Sequence, residues 1–137
     1  MFSIIIPTLN NLNFLKLCID SIKKNSKFDH QIIVHINEGT DGTLDYVRNN
    51  GYEFTYTKNN IGMPKALNTS SKLATNEYIL LSHDDFYYCP GWDTEFVNEI
   101  HKIKHNKFYL SGTMVGAGQV FFDAGETYKT FNEKKLL

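Results

Sequence analysis

Cysteine is scarce: Cys18 and Cys89 are the two in 137 residues, far apart and in no metal-ligand spacing. That count and spacing exclude a disulfide scaffold and a cysteine-built zinc site. The expected state is two reduced thiols in a cytoplasmic protein. An excess of positive charge is lacking as well. Lys and Arg number 14 against 15 Asp and Glu, a formal net charge of −1, and no long basic run occurs. A nucleic-acid partner or a broad footprint on anionic membranes is therefore not expected, which leaves room for a local basic pocket that takes one phosphorylated ligand. No apolar run approaches the roughly 20 residues of a membrane-spanning helix. No charged segment followed by an apolar stretch precedes the first strand, so neither a transmembrane segment nor a signal peptide is expected. Repeats, low-complexity tracts and Pro- or Gly-rich linkers are missing too, which points to one domain over residues 1–137.

What is present fits a globular chain: 42% hydrophobic and 21% charged residues, with length enough to bury roughly two-thirds of the unfolded surface. Ser3-Ile4-Ile5-Ile6-Pro7 reads as a β-branched strand stopped by proline. Asn10 and Asn11 offer N-caps for a helix in which Leu12, Leu15, Ile19 and Ile22 recur, running to about Ser26. Gln31 to Ile36 is a second strand, ended by the turn chemistry of residues 37–42. Thr43 to Arg48 is a short helix closed by Asn49-Asn50-Gly51, and Tyr52 to Thr57 alternates as a strand. Pro64 suits the first turn of a helix that runs to about Ala74. A near-continuous apolar run from Glu77 reads as a buried strand. Phe96, Ile100 and Ile103 mark another helix, and Phe108-Tyr109-Leu110 and Val120-Phe121-Phe122 two further strands. Strands alternating with helices imply an α/β fold, a mainly parallel sheet flanked by helices on both faces.

Polar groups gather where strands end. The first strand leads to Pro7-Thr8-Leu9-Asn10, the second to Asn37-Glu38, the fourth to His83-Asp84-Asp85. In a parallel sheet these ends share one edge, where α/β sheets put their ligands. Adjacent carboxylates repel each other and are best tolerated around a cation that a second anion shares; a divalent metal on a diphosphate fits that description. Two exposed acids at an ordinary strand-to-loop transition are the plainer alternative. Asn60-Ile61-Gly62-Met63-Pro64-Lys65 opens a helix and supplies backbone N–H groups with one ammonium, a phosphate-attracting combination. Lys65 and Asn68 share a helical face, although a lone lysine there also fits a solvated surface. His101 and His105, at i and i+4 among Lys102, Lys104 and Lys107, read as a solvated helix end, and His35 as a satisfied histidine within a strand. Trp92, Tyr87 and Tyr88 serve equally well for stacking on a sugar ring or for packing.

Together these pieces resemble the nucleotide-sugar-dependent glycosyltransferases of family 2, which have the Rossmann-like GT-A fold. Ser3 to Asn10 matches, as do Ile32-Ile33-Val34 leading to Thr40-Asp41-Gly42-Thr43, and Asn60-Ile61-Gly62-Met63-Pro64-Lys65-Ala66-Leu67-Asn68 against an N-x-G-x-x-x-A-x-N pattern. Glu77-Tyr78-Ile79, followed by Asp84-Asp85 and Pro90, completes the series in the family's order. The resemblance covers residues 2–115, the donor-binding part, and leaves 116–137 as an abbreviated acceptor-side part. It implies that Pro7, Thr8 and Leu9 line base and ribose, with an aliphatic Leu9 where an aromatic residue is frequent. It implies that Asn37 or Glu38, one residue apart in a loop where the match slips by one, reads the base edge, that Asp84 holds the ribose or a metal-bound water, and that Asp85 is the direct metal ligand. His83 stands where many members have an acid, as a neutral group near the metal or as a ligand favouring Mn²⁺ over Mg²⁺.

The implied activity is metal-dependent, inverting transfer of a sugar from a nucleoside diphosphate donor, such as a UDP-sugar, to a glycan or other hydroxyl acceptor. Departing negative charge would be met by the metal, Lys65 and the helix N-terminus. The acceptor needs a general base, and Asp123 and Glu126 are the acids nearest the last strand. Gly112 to Gly118 would form part of an acceptor wall. Family members commonly exceed 200 residues, as the resemblance implies, whereas this chain stops at Leu137. A truncated chain, a natural minimal form, a homo-oligomer or partner subunit, or a nucleotide-sugar-binding module without catalysis are the expectations that follow. A nucleotidyltransferase would carry a Gly-rich basic loop after the first strand, which Asn10-Asn11-Leu12-Asn13 is not. A purely structural α/β domain would show no response to ligand.

Overall fold

The computed structural model describes residues 1–113, 115 and 123–137. Four parallel strands, β1 (Phe2–Leu9), β2 (Gln31–Asn37), β3 (Glu53–Thr57) and β4 (Tyr78–Leu81), form one sheet in the order β3-β2-β1-β4. The helices are α1 (Leu12–Asn25), α2 (Thr43–Asn49), α3 (Met63–Ser70, followed by a 3₁₀ turn over Ser71–Leu73), α4 (Trp92–Lys102) and a short α5 (Glu133–Leu136).

The pleat sends alternate side chains to opposite faces. Phe2, Ile4 and Ile6 of β1 join Val34 and Ile36 of β2 on one face. They pack against Leu15, Cys18, Ile19 and Ile22 of α1, Val47 of α2 and Val97 of α4. Ile5 and Ile33, also fully buried, point to the other face, where α3 crosses β1 and β2 with Ala66 and Ser70 buried. Helices thus cover both faces, as the alternating pattern implies.

The connections from β1 to β2 and from β2 to β3 step one way along the sheet. The connection through α3 then returns past β2 and β1 to β4. Connections that diverge from a strand pair open a crevice beyond its carboxyl ends, and here that point lies between β1 and β4.

Several expectations need correction. β1 does not stop at Pro7 but runs through it to Leu9. Ser82 N–H donates to Ile5 O, so Ile5 faces β4, and by the two-residue alternation Pro7 does too. The β4 ladder ends at Ile5–Leu81, so the missing N–H of Pro7 breaks no ladder bond. The strand from Glu77 is not buried on both sides. Among the described residues β4 pairs with β1 alone, and Ile79 and Leu81 are exposed at 48% and 52%. Phe108-Tyr109-Leu110 is not a strand: Phe108 packs on Tyr78, while Tyr109 is exposed. Val120-Phe121-Phe122 and the Gly116–Gly118 end of the expected acceptor wall lie outside the described residues.

Trp92 belongs to the core. It packs with Phe2, His30, Tyr88 and Phe96 and donates through Nε1 to Ser26 Oγ at 3.1 Å. Tyr87 packs on Phe131 and hydrogen-bonds Glu133, which also pairs with Lys24. His35, fully buried, sits between the hydroxyls of Thr55 and Thr57.

Candidate functional site

The sheet rim is built from the ends of β1, β2 and β3. Leu9 of β1 lies beside Asn37 of β2, and Asn37 beside Thr57 of β3. β4 ends lower, at the level of Ile5, and the chain from Ser82 climbs past β1. That climb brings Asp84 to the hydroxyl of Thr8 and the side chain of Asn11. The predicted convergence of the first and fourth strand ends is therefore present, and it falls at the crevice between β1 and β4.

Burial pushes the Asp84 carboxyl above its usual range, and the neighbouring charge of Asp85 adds to this, against the opposing pull of Thr8 and Asn11. Thr8 Oγ1 is buried without a hydrogen bond of ordinary geometry. It approaches Asp84 but is not fully satisfied by it, an uncommon state for a buried hydroxyl. Asp85 is exposed and makes no hydrogen bond or ion pair among the described residues. His83, partly buried, packs its ring on Phe86 with centroids 4.9 Å apart.

A hard divalent cation fits this donor set: a free carboxylate next to a second one, with no ion pair to either among the described residues. No group of three or more His, Cys, Asp or Glu capable of holding a metal exists among the described residues. A cation at Asp85 would thus complete its shell from ligand phosphates and water, the usual arrangement for Mg²⁺.

On the β2 side the two candidates separate. Asn37 is buried and internally satisfied. Its Nδ2 donates to Thr8 O at 3.4 Å, and its Oδ1 accepts from Thr57 Oγ1 at 3.3 Å and Ile61 N–H at 3.0 Å. It ties three strands to the loop before α3. Glu38 stands at the rim, its Oε2 accepting from Asn10 Nδ2 at 3.1 Å. Asn10 and Glu38 are the non-glycine residues with positive φ among those described, 49° and 63°. Backbone held in this sparsely populated region at two facing strand ends is a mark of functional sites. Leu9, 42% exposed, projects beside them.

The loop to α3 is shaped by Asn60, whose Oδ1 accepts from Gly62 N–H at 2.8 Å. Gly62 has φ 76° and ψ 160°, a conformation open essentially to glycine alone. Met63 and Lys65 follow in the first turn of α3, with Pro64 between them; the Lys65 side chain is exposed and without a partner among the described residues, and Asn68 is exposed one turn on. Asp123 lies in the C-terminal segment, with Oδ1 accepting from Gly125 N–H at 2.8 Å and Oδ2 3.8 Å from Lys135 Nζ. None of its contacts reaches the strand ends.

Two further residues shape the site. Asn11 was legible only as an N-cap, yet its side chain makes no cap and points to Asp84 instead. The cap comes from Asp41, 29 residues away, whose Oδ2 accepts from Leu12 N–H at 2.8 Å while Oδ1 accepts from Thr43 N–H and Oγ1 at 3.1 and 2.6 Å. Burial opposes ionisation of Asp41, but these hydrogen bonds outweigh it and hold the carboxyl below its usual range. A cap of this kind contributes about 1 kcal/mol, and it frees Asn11 for the crevice. The turn pattern of residues 39–43 carried that signal without revealing its target.

The sequence profile of glycosyl transferase family 2 matches residues 3–135. A PGL/p-HBAD biosynthesis glycosyltransferase of Mycobacterium bovis is 36% identical over 94 residues, 64% of this chain and 37% of that protein. An uncharacterised glycosyltransferase of Rickettsia typhi is 36% identical over 106 residues, 75% of this chain and 33% of that protein. The chain thus spans about a third of the length of the curated relatives it matches. Among solved structures, S. aureus TarS 1–349 superposes with a TM-score of 0.66 at 25% identity, covering 74% of this chain and 32% of that one. The mannosyltransferase PcManGT from Pyrobaculum calidifontis, in complex with GDP-Man and Mn²⁺, superposes with a TM-score of 0.58 at 25% identity, covering 69% and 30%.

Proposed function

Since the chain belongs to glycosyl transferase family 2, we propose that its sheet rim binds the nucleoside diphosphate part of an activated sugar and supports transfer of that sugar to a hydroxyl acceptor. The observation that carries this reading is the meeting of Asp84 with Thr8 and Asn11 at the topological switch point, with Asp85 free beside them. PcManGT, bound to GDP-Man and Mn²⁺, supports a donor and metal of the same classes here.

In this reading Pro7, Thr8 and Leu9 flank the base and ribose, and Glu38, held by Asn10, accepts from the base edge. Asn37 acts by fixing those loops. Asp84 receives the ribose and Asp85 ligates the cation, with His83 at its margin. A divalent cation bound there supplies Lewis-acid neutralisation of the departing diphosphate. Lys65 and the N–H groups of Met63 and Lys65 at the start of α3 add positive potential where that charge develops, and Asn68 lies along the same face. Attack by the acceptor oxygen on the anomeric carbon as the diphosphate leaves inverts that carbon. Asp123 is the acid assigned to take the acceptor's proton. The donor in this reading is a nucleotide-sugar such as a UDP-sugar, and the setting is the cytoplasm.

Calorimetric titration of UDP in MnCl₂ and in EDTA tests the site. Binding at least tenfold tighter with Mn²⁺ is expected, and equal binding in both removes the cation from the account. Asp123→Asn in a radiolabelled transfer assay is expected to lower turnover by at least a hundredfold with UDP affinity intact; unchanged turnover removes the assignment of the base. A second reading is a donor-binding module without catalysis. UDP binding without transfer or donor hydrolysis would select it.

A further inference from the structure

The acid turn after β4 is fastened through one carbonyl, that of His83. This oxygen belongs to the peptide unit joining His83 to Asp84, and because the unit is planar its direction fixes where the Asp84 backbone starts. Donors reach it from Cys18 Sγ at 3.3 Å, Ser82 Oγ at 3.2 Å and Phe86 N–H at 3.4 Å. Tyr88 O–H donates in turn to Ser82 Oγ at 2.7 Å. Tyr88 is itself anchored to α1, its N–H donating to Ser21 Oγ at 3.0 Å and its carbonyl accepting from Asn25 Nδ2 at 2.6 Å. Cys18, Ser21 and Asn25 recur along one stripe of α1 at helical spacing. Cys18 and Ser82 are 0% and 2% exposed, so neither can touch a ligand. A helix packed under the sheet thus reaches the acid turn through a thiol at one end and a tyrosine at the other.

We propose that Cys18, Ser82 and Tyr88 are positioning residues that aim the Asp84 and Asp85 carboxylates through the His83 carbonyl. Its consequence for metal binding rests on the donor-site reading above; the ordering of the turn does not. Packing alone would make Cys18 replaceable by any small apolar residue. The thiol-to-carbonyl contact demands a donor at that position, and groups that orient metal-binding carboxylates commonly change metal affinity by 10–100-fold when removed.

The test compares the parent 137-residue chain with Cys18→Ala, which removes the donor, Cys18→Ser, which keeps one, and Tyr88→Phe, which keeps the ring against Trp92 and removes the hydroxyl. Amide hydrogen exchange is read without metal at Phe86, which closes the turn, against a β2 amide that reports global opening. Mn²⁺ affinity in the presence of UDP is read by water-proton relaxation. Phe86 exchange is expected to quicken at least tenfold relative to the β2 amide in Cys18→Ala and Tyr88→Phe, with Mn²⁺ affinity reduced 10–100-fold. Cys18→Ser should stay near the parent in both readouts. Exchange that follows only the β2 amide, or faster exchange with parental Mn²⁺ affinity, overturns the proposal. A parent that binds no Mn²⁺ with UDP defeats the donor-site reading, whereas the exchange comparison still decides whether these residues order the turn. Should Cys18→Ala fail to fold, Tyr88→Phe and Cys18→Ser decide it alone.

Discussion

Asp85→Ala is expected to abolish the rise in melting temperature that UDP and Mn²⁺ together give the parent chain. Asp85 has no structural partner to lose, being exposed and unpaired among the described residues, so the variant should melt within a degree or two of the parent without ligand. With ligand at a hundred times its dissociation constant, linkage stabilises the parent by about 2.7 kcal/mol, roughly 10 °C for a domain of this size. Removing the carboxylate leaves Asp84 as the lone acid, half enclosed beside Thr8, and the rise should vanish. Differential scanning fluorimetry with and without EDTA reads both quantities. An Asp85→Ala chain that retains the full Mn²⁺-dependent rise would contradict the assignment of Asp85 as ligand.

Asp93→Ala has the largest expected effect on stability, a loss of about 3–5 kcal/mol. Asp93 is fully buried at the start of α4. Its Oδ2 accepts from Lys27 N–H, Phe28 N–H and His30 Nε2 at 2.8, 2.9 and 3.2 Å, and its Oδ1 accepts from Thr94 N–H at 2.8 Å. Alanine strands those donors in the interior, and each unsatisfied group costs about 1–3 kcal/mol. Urea denaturation measures the loss; a change below about 1 kcal/mol would show that water replaces the carboxylate.

The same cluster sets an acid limit. Burial favours the neutral form of Asp93, but the donors from Phe28, His30, Lys27 and Thr94 outweigh it and hold the carboxyl below its ordinary value. Burial also lowers the pKa of His30, more than the neighbouring Asp93 raises it. Both groups bind protons more readily when unfolded, so both make stability fall with acidification. The His30 contribution is complete above the unfolded value of about 6.5 and declines below it; the Asp93 contribution is complete above about 3.9 and is lost as pH falls through its depressed folded value.

The parallel α/β order, the helices and the polar strand ends were legible in the sequence because apolar periodicity and turn chemistry act locally. The exposure of the fourth strand was not legible. Tyr78 to Leu81 has the composition of a central strand, yet among the described residues it pairs with β1 alone and leaves Ile79 and Leu81 exposed. Asn37 and Glu38 were indistinguishable in sequence because a one-residue shift reverses which side chain faces inward; the β2–β3 register separates them. The expected capping role of Asn11 passed to Asp41, a side chain 29 residues distant, through a contact no local pattern encodes.

The proline within β1 has a consequence for the shape of the crevice. A residue with an amide hydrogen at position 7 would present a donor toward the segment after Leu81, inviting it to continue alongside β1. Because Pro7 offers no donor there, the two chains unzip after one last bond, from Ser82 to Ile5. The cleft that receives Asp84 is thus kept ajar by an imino acid, and its width is written into the backbone rather than into any side chain that lines it.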